Sequence, residues 1–146
     1  MAAQTHTTVE ENERLSRRVP EEIATERNLE LIDELYAADA VEHLPMGDTR
    51  GLDEIRADFE RFLEAFPDFS ATVEDSVASG DTVAMRVTLR GTHEGPFMGI
   101  EPTNRTFKVS NMVFTRVRDG KIVERWVQPD MHGMLRQLGV VESPIA

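Results

Sequence analysis

Residues 106–139 read TFKVSNMVFTRVRDGKIVERWVQPDMHGMLRQLG, and the reading of this stretch decides the fold. Asp119-Gly120 at its centre signals a two-residue hairpin, because a type I′ turn needs positive φ at both central positions. Arg118 then faces Lys121, which sets 117 opposite 122, 113 opposite 126, 111 opposite 128 and 109 opposite 130. On that register one face carries Val117, Ile122, Thr115, Glu124, Val113, Trp126, Asn111, Gln128, Val109 and Asp130. It is apolar near the turn and polar at the far end. The other face carries Arg116, Phe114, Met112, Val123, Arg125 and Val127, and its apolar content implies a cover such as a second subunit. Pro129 closes the ladder, since proline has no N–H to give. Met131, Met134, Leu135 and Leu138 follow at helical spacing, and Gly139 is a natural helix stop.

Upstream, Leu15, Val19 and Ile23 recur every four residues and predict an amphipathic helix, kinked or restarted at Pro20. Asn28 is placed to cap a second short helix with Leu31, Ile32 and Leu35 on its buried side. Residues 40–44 read as a short strand with Val41 and His43 on one face, followed by a loop from Pro45 to Gly51. Leu52, Ile55, Phe59, Phe62, Leu63 and Phe66 form one helical stripe ended by Pro67. The period then switches to two, with a turn at Ser79-Gly80-Asp81 and a strand carrying Val83, Met85, Val87 and Leu89 on one face. Residues 91–103 form a breaker-rich loop containing His93, Phe97 and Met98. Three helices followed by a meander predict an α+β domain: a cone of curved antiparallel sheet with the helices packed on it and a short C-terminal helix. We expect residues 1–8 to be a disordered tail, 9–140 a single domain and 141–146 a C-terminal tail.

Composition narrows the function. Asp plus Glu number 27 against 16 Lys plus Arg, a net charge of −11, which excludes a phosphate-binding basic surface and hence a nucleic-acid partner. Lys108 and Lys121 are the only lysines, and acid excess with little lysine is the pattern of high-salt cytoplasm. No apolar run reaches membrane-span length, so no membrane partner is expected. The chain has no cysteine, which rules out disulfides and thiolate chemistry and fits a cytoplasmic protein. The histidines lack the i, i+4 spacing of a helical metal site, so no metal is expected.

Ala65-Phe-Pro-Asp68, Gly91-Thr-His-Glu-Gly95, Pro102-Thr103, Asp119-Gly-Lys-Ile122, Glu124-Arg-Trp126, Asp130 and Gln137-Leu-Gly139 occur in this order across nearly the whole chain. In these motifs the sequence resembles the SnoaL-like polyketide (ester) cyclases of the nuclear transport factor 2-like superfamily. The resemblance implies a cone with a deep pocket, dimerised through the outer sheet face. It implies an intramolecular aldol condensation closing a ring of an aromatic polyketide ester, with no metal or cofactor. An aspartate near the end of the last long strand serves that family as general acid/base, and Asp130 holds the position here. Related cones host isomerases, dehydratases, epoxide hydrolases and non-catalytic small-molecule-binding modules, and these remain the alternatives.

Two roles are open to Asp130: a base whose pKa is raised by burial beside Trp126, or an N-cap of the helix starting at Met131. Asn111 and Gln128 are candidates to donate hydrogen bonds to a developing enolate oxygen, or to satisfy each other across the hairpin. His43 and His93 are candidate substrate contacts or structural histidines. Trp126 is either core or a stacking platform for an aromatic substrate.

Overall fold

A computed structural model describes residues 8–142; most of the expected N-terminal tail and residues 143–146 lie outside them. The chain runs through α1 (Val9–Arg18), a π-helical turn (Val19–Thr25), α2 (Leu31–Leu35), β1 (Tyr36–Leu44), β2 (Gly47–Arg50) and α3 (Gly51–Ala65). It continues with β3 (Ser70–Ser79), β4 (Thr82–Thr92), β5 (Thr106–Arg118), β6 (Lys121–Pro129) and α4 (Met131–Gln137). Six strands form one sheet in the order β2-β1-β6-β5-β4-β3. The helices cover its concave face, and the sheet is antiparallel except where β1 runs parallel to β6.

Local chemistry explains most of these elements. Pro20 cannot donate into the ladder of α1, and the helix continues as the wider π turn, where the Thr25 hydroxyl donates to the Pro20 carbonyl at 2.8 Å. The stripe of α3 holds as expected, with Ile55 and Phe66 fully buried and Phe59, Phe62 and Leu63 packed beside them. Asn28 does not cap α2 with its side chain; Glu30 holds the N-cap position, and Asn28 contributes only its carbonyl, to Leu31 N–H. The stretch expected as a loop contains β2, which pairs antiparallel with β1, Val41 facing Arg50 and Leu44 facing Gly47.

The β5–β6 hairpin carries the main correction. Asp119 and Gly120 adopt φ of 52° and 75°, the type I′ turn, and Arg118 faces Lys121 as expected. One pair later the register shifts: Arg116 faces Glu124, Phe114 faces Trp126, Val113 faces Val127 and Asn111 faces Pro129. Val123 is the extra residue of a β-bulge. Because side chains alternate with period two, one inserted residue moves everything beyond it to the opposite face. Arg125 and Val127 therefore face the cone interior. Glu124, Trp126 and Gln128 lie on the outer face with Arg116, Phe114 and Met112.

Two clusters make the core. One is built from the inner faces of β3, β4 and β5 against Phe66, Met134 and Leu138. The other joins Val19, Ile23, Ile32 and Leu35 to Ile55 and Ile122. Between helices and sheet they leave a cavity.

Candidate functional site

The cavity holds about 850 Å³. Its wall is mostly apolar: Phe59, Phe62 and Leu63 of α3, Val87 and Leu89 of β4, Val113 and Val127 of the hairpin, and Met134 of α4. Pro20 and Ala24 of the π turn also line it. Met46 and Met98, both exposed, mark where it opens. This volume falls within the range of pockets that enclose small organic ligands.

A few polar groups enter this apolar space. Glu42 points inward from β1, 1 % exposed, and meets Arg125 from β6, 6 % exposed. The two strands are parallel neighbours with Glu42 opposite Arg125 in register. Arg125 Nη1 donates to Glu42 Oε2, and the Tyr36 hydroxyl donates to the same oxygen at 2.6 Å. Arg125 Nη1 also reaches the Tyr36 oxygen at 3.2 Å. Burial pushes the Tyr36 phenol well above its ordinary range, against the opposing pull of Arg125, so it stays a donor.

Asp58 lies one helical turn from Arg61 on α3, and both line the cavity. Burial raises the Asp58 carboxyl pKa, and the nearby Glu42 charge adds to the rise. Arg61, 3.5 Å away, opposes it. Asn111 projects inward from β5 and is 7 % exposed. Its carboxamide has no hydrogen-bond partner among the described residues.

The residues singled out from sequence separate. Asn111 lines the cavity as expected. Asp130 is exposed and occupies the N-cap of α4, its Oδ1 accepting the Gly133 N–H at 2.8 Å. A Cβ at Gly133 would stand 2.2 Å from Asp130 Oδ2, so glycine admits the cap. Pro129 and Met131 line the cavity, whereas Asp130 between them does not. Trp126 and Gln128 are carried to the outer face by the bulge, and His43, opposite Trp126 in register, lies on that face of β1. There the His43 ring stacks on Trp126 at 5.2 Å, its Nε2 lies 2.6 Å from Glu124 and its Nδ1 lies 3.0 Å from Asp48. Gln128 is exposed opposite Met112.

His93 is wholly buried behind the wall, against Phe66 and Phe97. Its Nδ1 accepts the Thr103 N–H, and its backbone pairs with Asn104 and Arg105, closing the loop that carries Phe97 into the cavity. Sequence reading missed Glu42, Asp58 and Arg125. The available signal was weak: Glu42 follows Ala40 and Val41 in β1, but Asp39 and His43 of the same strand are polar too.

Among the described residues, no group of three or more His, Cys, Asp or Glu is placed to hold a metal ion, and no helix is long and apolar enough to cross a membrane.

A cone of sheet and helices around one apolar cavity with a few inward-facing polar groups defines a nuclear transport factor 2-like small-molecule domain. Within that class, the family model of SnoaL-like polyketide cyclases matches residues 14–138, and the chain belongs to this family. It is 40% identical over 60 residues to the nogalonic acid methyl ester cyclase of Streptomyces nogalater. That alignment takes in 41% of this chain and 45% of the enzyme, so the chain matches less than half the length of this curated relative. Among solved structures, IdmH of Streptomyces antibioticus, a candidate polyketide cyclase, is 40% identical with a TM-score of 0.78, over 88% of this chain and 99% of IdmH. TsrD of Streptomyces laurentii is 26% identical with a TM-score of 0.83, over 93% of this chain and 100% of TsrD.

Proposed function

We propose that this chain performs cofactor-independent acid/base chemistry on a small, mostly apolar polyketide-derived carbonyl compound, closing a ring by intramolecular aldol condensation. The observation that carries the reading is Asp58: a half-buried carboxylate in the wall of an apolar cavity, 3.5 Å from Arg61, with its pKa raised by partial desolvation. A carboxylate in water is a weak base at neutral pH, and burial moves it toward the operating range. Asp58 takes the proton from a carbon flanked by carbonyls. The resulting enolate carbon attacks a second carbonyl of the same molecule, and the alkoxide that forms takes the proton back from Asp58. Atoms and electrons balance with no added reagent.

Deuterium exchange at the activated carbon of a slow-exchanging aryl β-keto ester, followed by NMR against a no-protein control, tests this. Asp58→Asn should lower the enzyme-dependent rate by about 100-fold or more, the usual worth of a positioned general base. Asp130→Asn should leave most of it. The reverse pattern moves the base to Asp130. Exchange at background in wild type overturns the acid/base reading and favours a binding module.

We further propose a homodimer through the outer sheet face. Met112 and Phe114 are 51% and 52% exposed there, beside the half-buried Trp126. A pair of large apolar side chains left half open on a sheet face marks an interaction surface. Light scattering should give the mass of two chains for wild type and of one for Phe114→Glu; one chain in both refutes the interface.

A further inference from the structure

We propose that Arg125 and Asn111 are the two polar contacts that orient a ligand in the cavity, Arg125 taking a carbonyl oxygen and Asn111 a hydroxyl or enol. The ligand is thereby an elongated, otherwise apolar hydroxy ketone without charge. This rests on the reading of the cavity as a ligand site and specifies what that site selects.

Both side chains are more than nine-tenths buried, and both line the cavity. Arg125 spends Nη1 on Glu42 and Tyr36, leaving Nε and Nη2 without a partner among the described residues. The Asn111 carboxamide has no partner at either end among the same residues. Buried polar groups in folded proteins are almost always satisfied, so the orphaned groups of Arg125 and Asn111, with the Thr49 hydroxyl a third unpartnered group of the same lining, point to a bound molecule that satisfies them.

The chemistry of each group selects its partner. A guanidinium only donates, so it takes an acceptor oxygen. Glu42 already balances the Arg125 charge, and the Asp58 carboxylate lies in the same cavity. A neutral carbonyl fits there, whereas a ligand carboxylate would bring in an unmatched negative charge. A carboxamide offers a donor and an acceptor together, and a hydroxyl answers both.

Register supplies the spacing. Arg125 faces Thr115 and Asn111 faces Pro129, so the two lie on neighbouring strands and four residue steps apart, about 13 Å measured along the strand direction. Val113 and Val127, paired between them, both line the cavity. The path from one contact to the other is therefore apolar, which matches a hydrocarbon skeleton with oxygen at both ends. Glu42 and Tyr36 are positioning residues that hold the guanidinium.

The probes are 6-hydroxy-2-acetylnaphthalene, 2-acetylnaphthalene, 2-naphthol and naphthalene, with dissociation constants measured by fluorescence. In wild type the acetyl and the hydroxyl should each tighten binding about tenfold over the parent hydrocarbon. Glu42→Gln/Arg125→Met, which removes both charges, should erase the gain from the acetyl and keep that from the hydroxyl. Asn111→Leu should do the opposite. Arg125→Lys, which retains a cationic donor, should keep an acetyl preference. The infrared carbonyl stretch of bound 13C-labelled 2-acetylnaphthalene should lie lower in wild type than in the double variant, a shift that a purely structural role would not produce.

Equal binding of all four probes by wild type, or parallel weakening of all four in each variant, overturns the proposal. Failure of naphthalene itself to bind removes the cavity as a ligand site and this inference with it. Crosswise selectivity without deuterium exchange would sustain this inference and overturn the catalytic reading alone.

Discussion

Arg125→Met should cost this protein about 3–5 kcal/mol, the usual penalty for leaving one member of a buried ion pair without its partner. Glu42, 1 % exposed, would keep only the Tyr36 hydroxyl at 2.6 Å. A single neutral donor does not replace a guanidinium beside a carboxylate taken out of water. Unfolding entropies near 2.1 cal/mol/K per residue give about 0.3 kcal/mol/K for 146 residues, so the loss corresponds to a fall in Tm of about 10–16 °C. Glu42→Gln should cost a similar amount by stranding the cation. Glu42→Gln/Arg125→Met should recover most of the loss, because neutral residues of similar volume often replace a buried pair at little cost. Thermal unfolding at fixed protein concentration, followed by the fluorescence of the sole tryptophan, Trp126, and by circular dichroism, measures all four proteins. If the double variant loses the sum of the two single losses, the side chains are not coupled, and the account of the buried triad fails.

Two pH effects follow from groups outside the cavity. The hydrogen bond to Glu124, followed by that to Asp48, raises the His43 pKa despite partial desolvation. A raised folded value contributes stability that is full below the unfolded pKa of about 6.5 and lost as pH rises through the folded value. Urea midpoints of wild type should therefore decline over that window and those of His43→Gln should not; an NMR titration midpoint for His43 at or below its ordinary value would contradict this. Asp68 accepts the Thr92 N–H at 2.7 Å and the Thr92 hydroxyl at 2.6 Å, and the hydroxyl bond leads in holding its carboxyl below the usual range. Its contribution is present above the ordinary carboxylate pKa of about 3.9 and lost as pH falls through the lowered value. The stability deficit of Asp68→Asn relative to wild type should shrink in acid; a deficit that is constant across that range would mean Asp68 acts only through its shape.

Much of the architecture was legible because it is written locally. The stripe from Leu52 to Phe66 has one period, and Asp119-Gly120 allows one turn type. The inward position of Asn111 follows from counting back from that turn along the unbulged strand β5. The other strand of the hairpin was not legible in the same way. Glu124, Trp126 and Gln128 against Arg125 and Val127 is a pattern with a charge and an apolar residue on each side, so polarity does not reveal which face is covered. A bulge has no obligatory residue of its own, and Val123 looks like any strand valine. Asp130 allowed two readings, and its cap becomes visible only in three dimensions, where Gly133 leaves space for the carboxylate. The length of β1 also hid Glu42, since its partner lies 83 residues away on a parallel neighbour.

Site and fold meet at that bulge. Without the extra residue, Arg125 would face outward, and the buried Glu42 of β1 would lose its ion-pair partner. Trp126 would enter the cavity and take up volume that now stands open. With it, the arginine joins Glu42 and Tyr36 inside. Trp126 lies flat on the outer face between His43 and Arg116, whose guanidinium stacks 5.2 Å from the indole centroid. The Glu-Arg-Trp motif is thus divided between two jobs. Its arginine sets the polarity of the cavity, and its glutamate and tryptophan, clamped by His43 and Arg116, build the outer surface. The motif therefore constrains both faces of the sheet at once, and a change at any of its three positions should register on both.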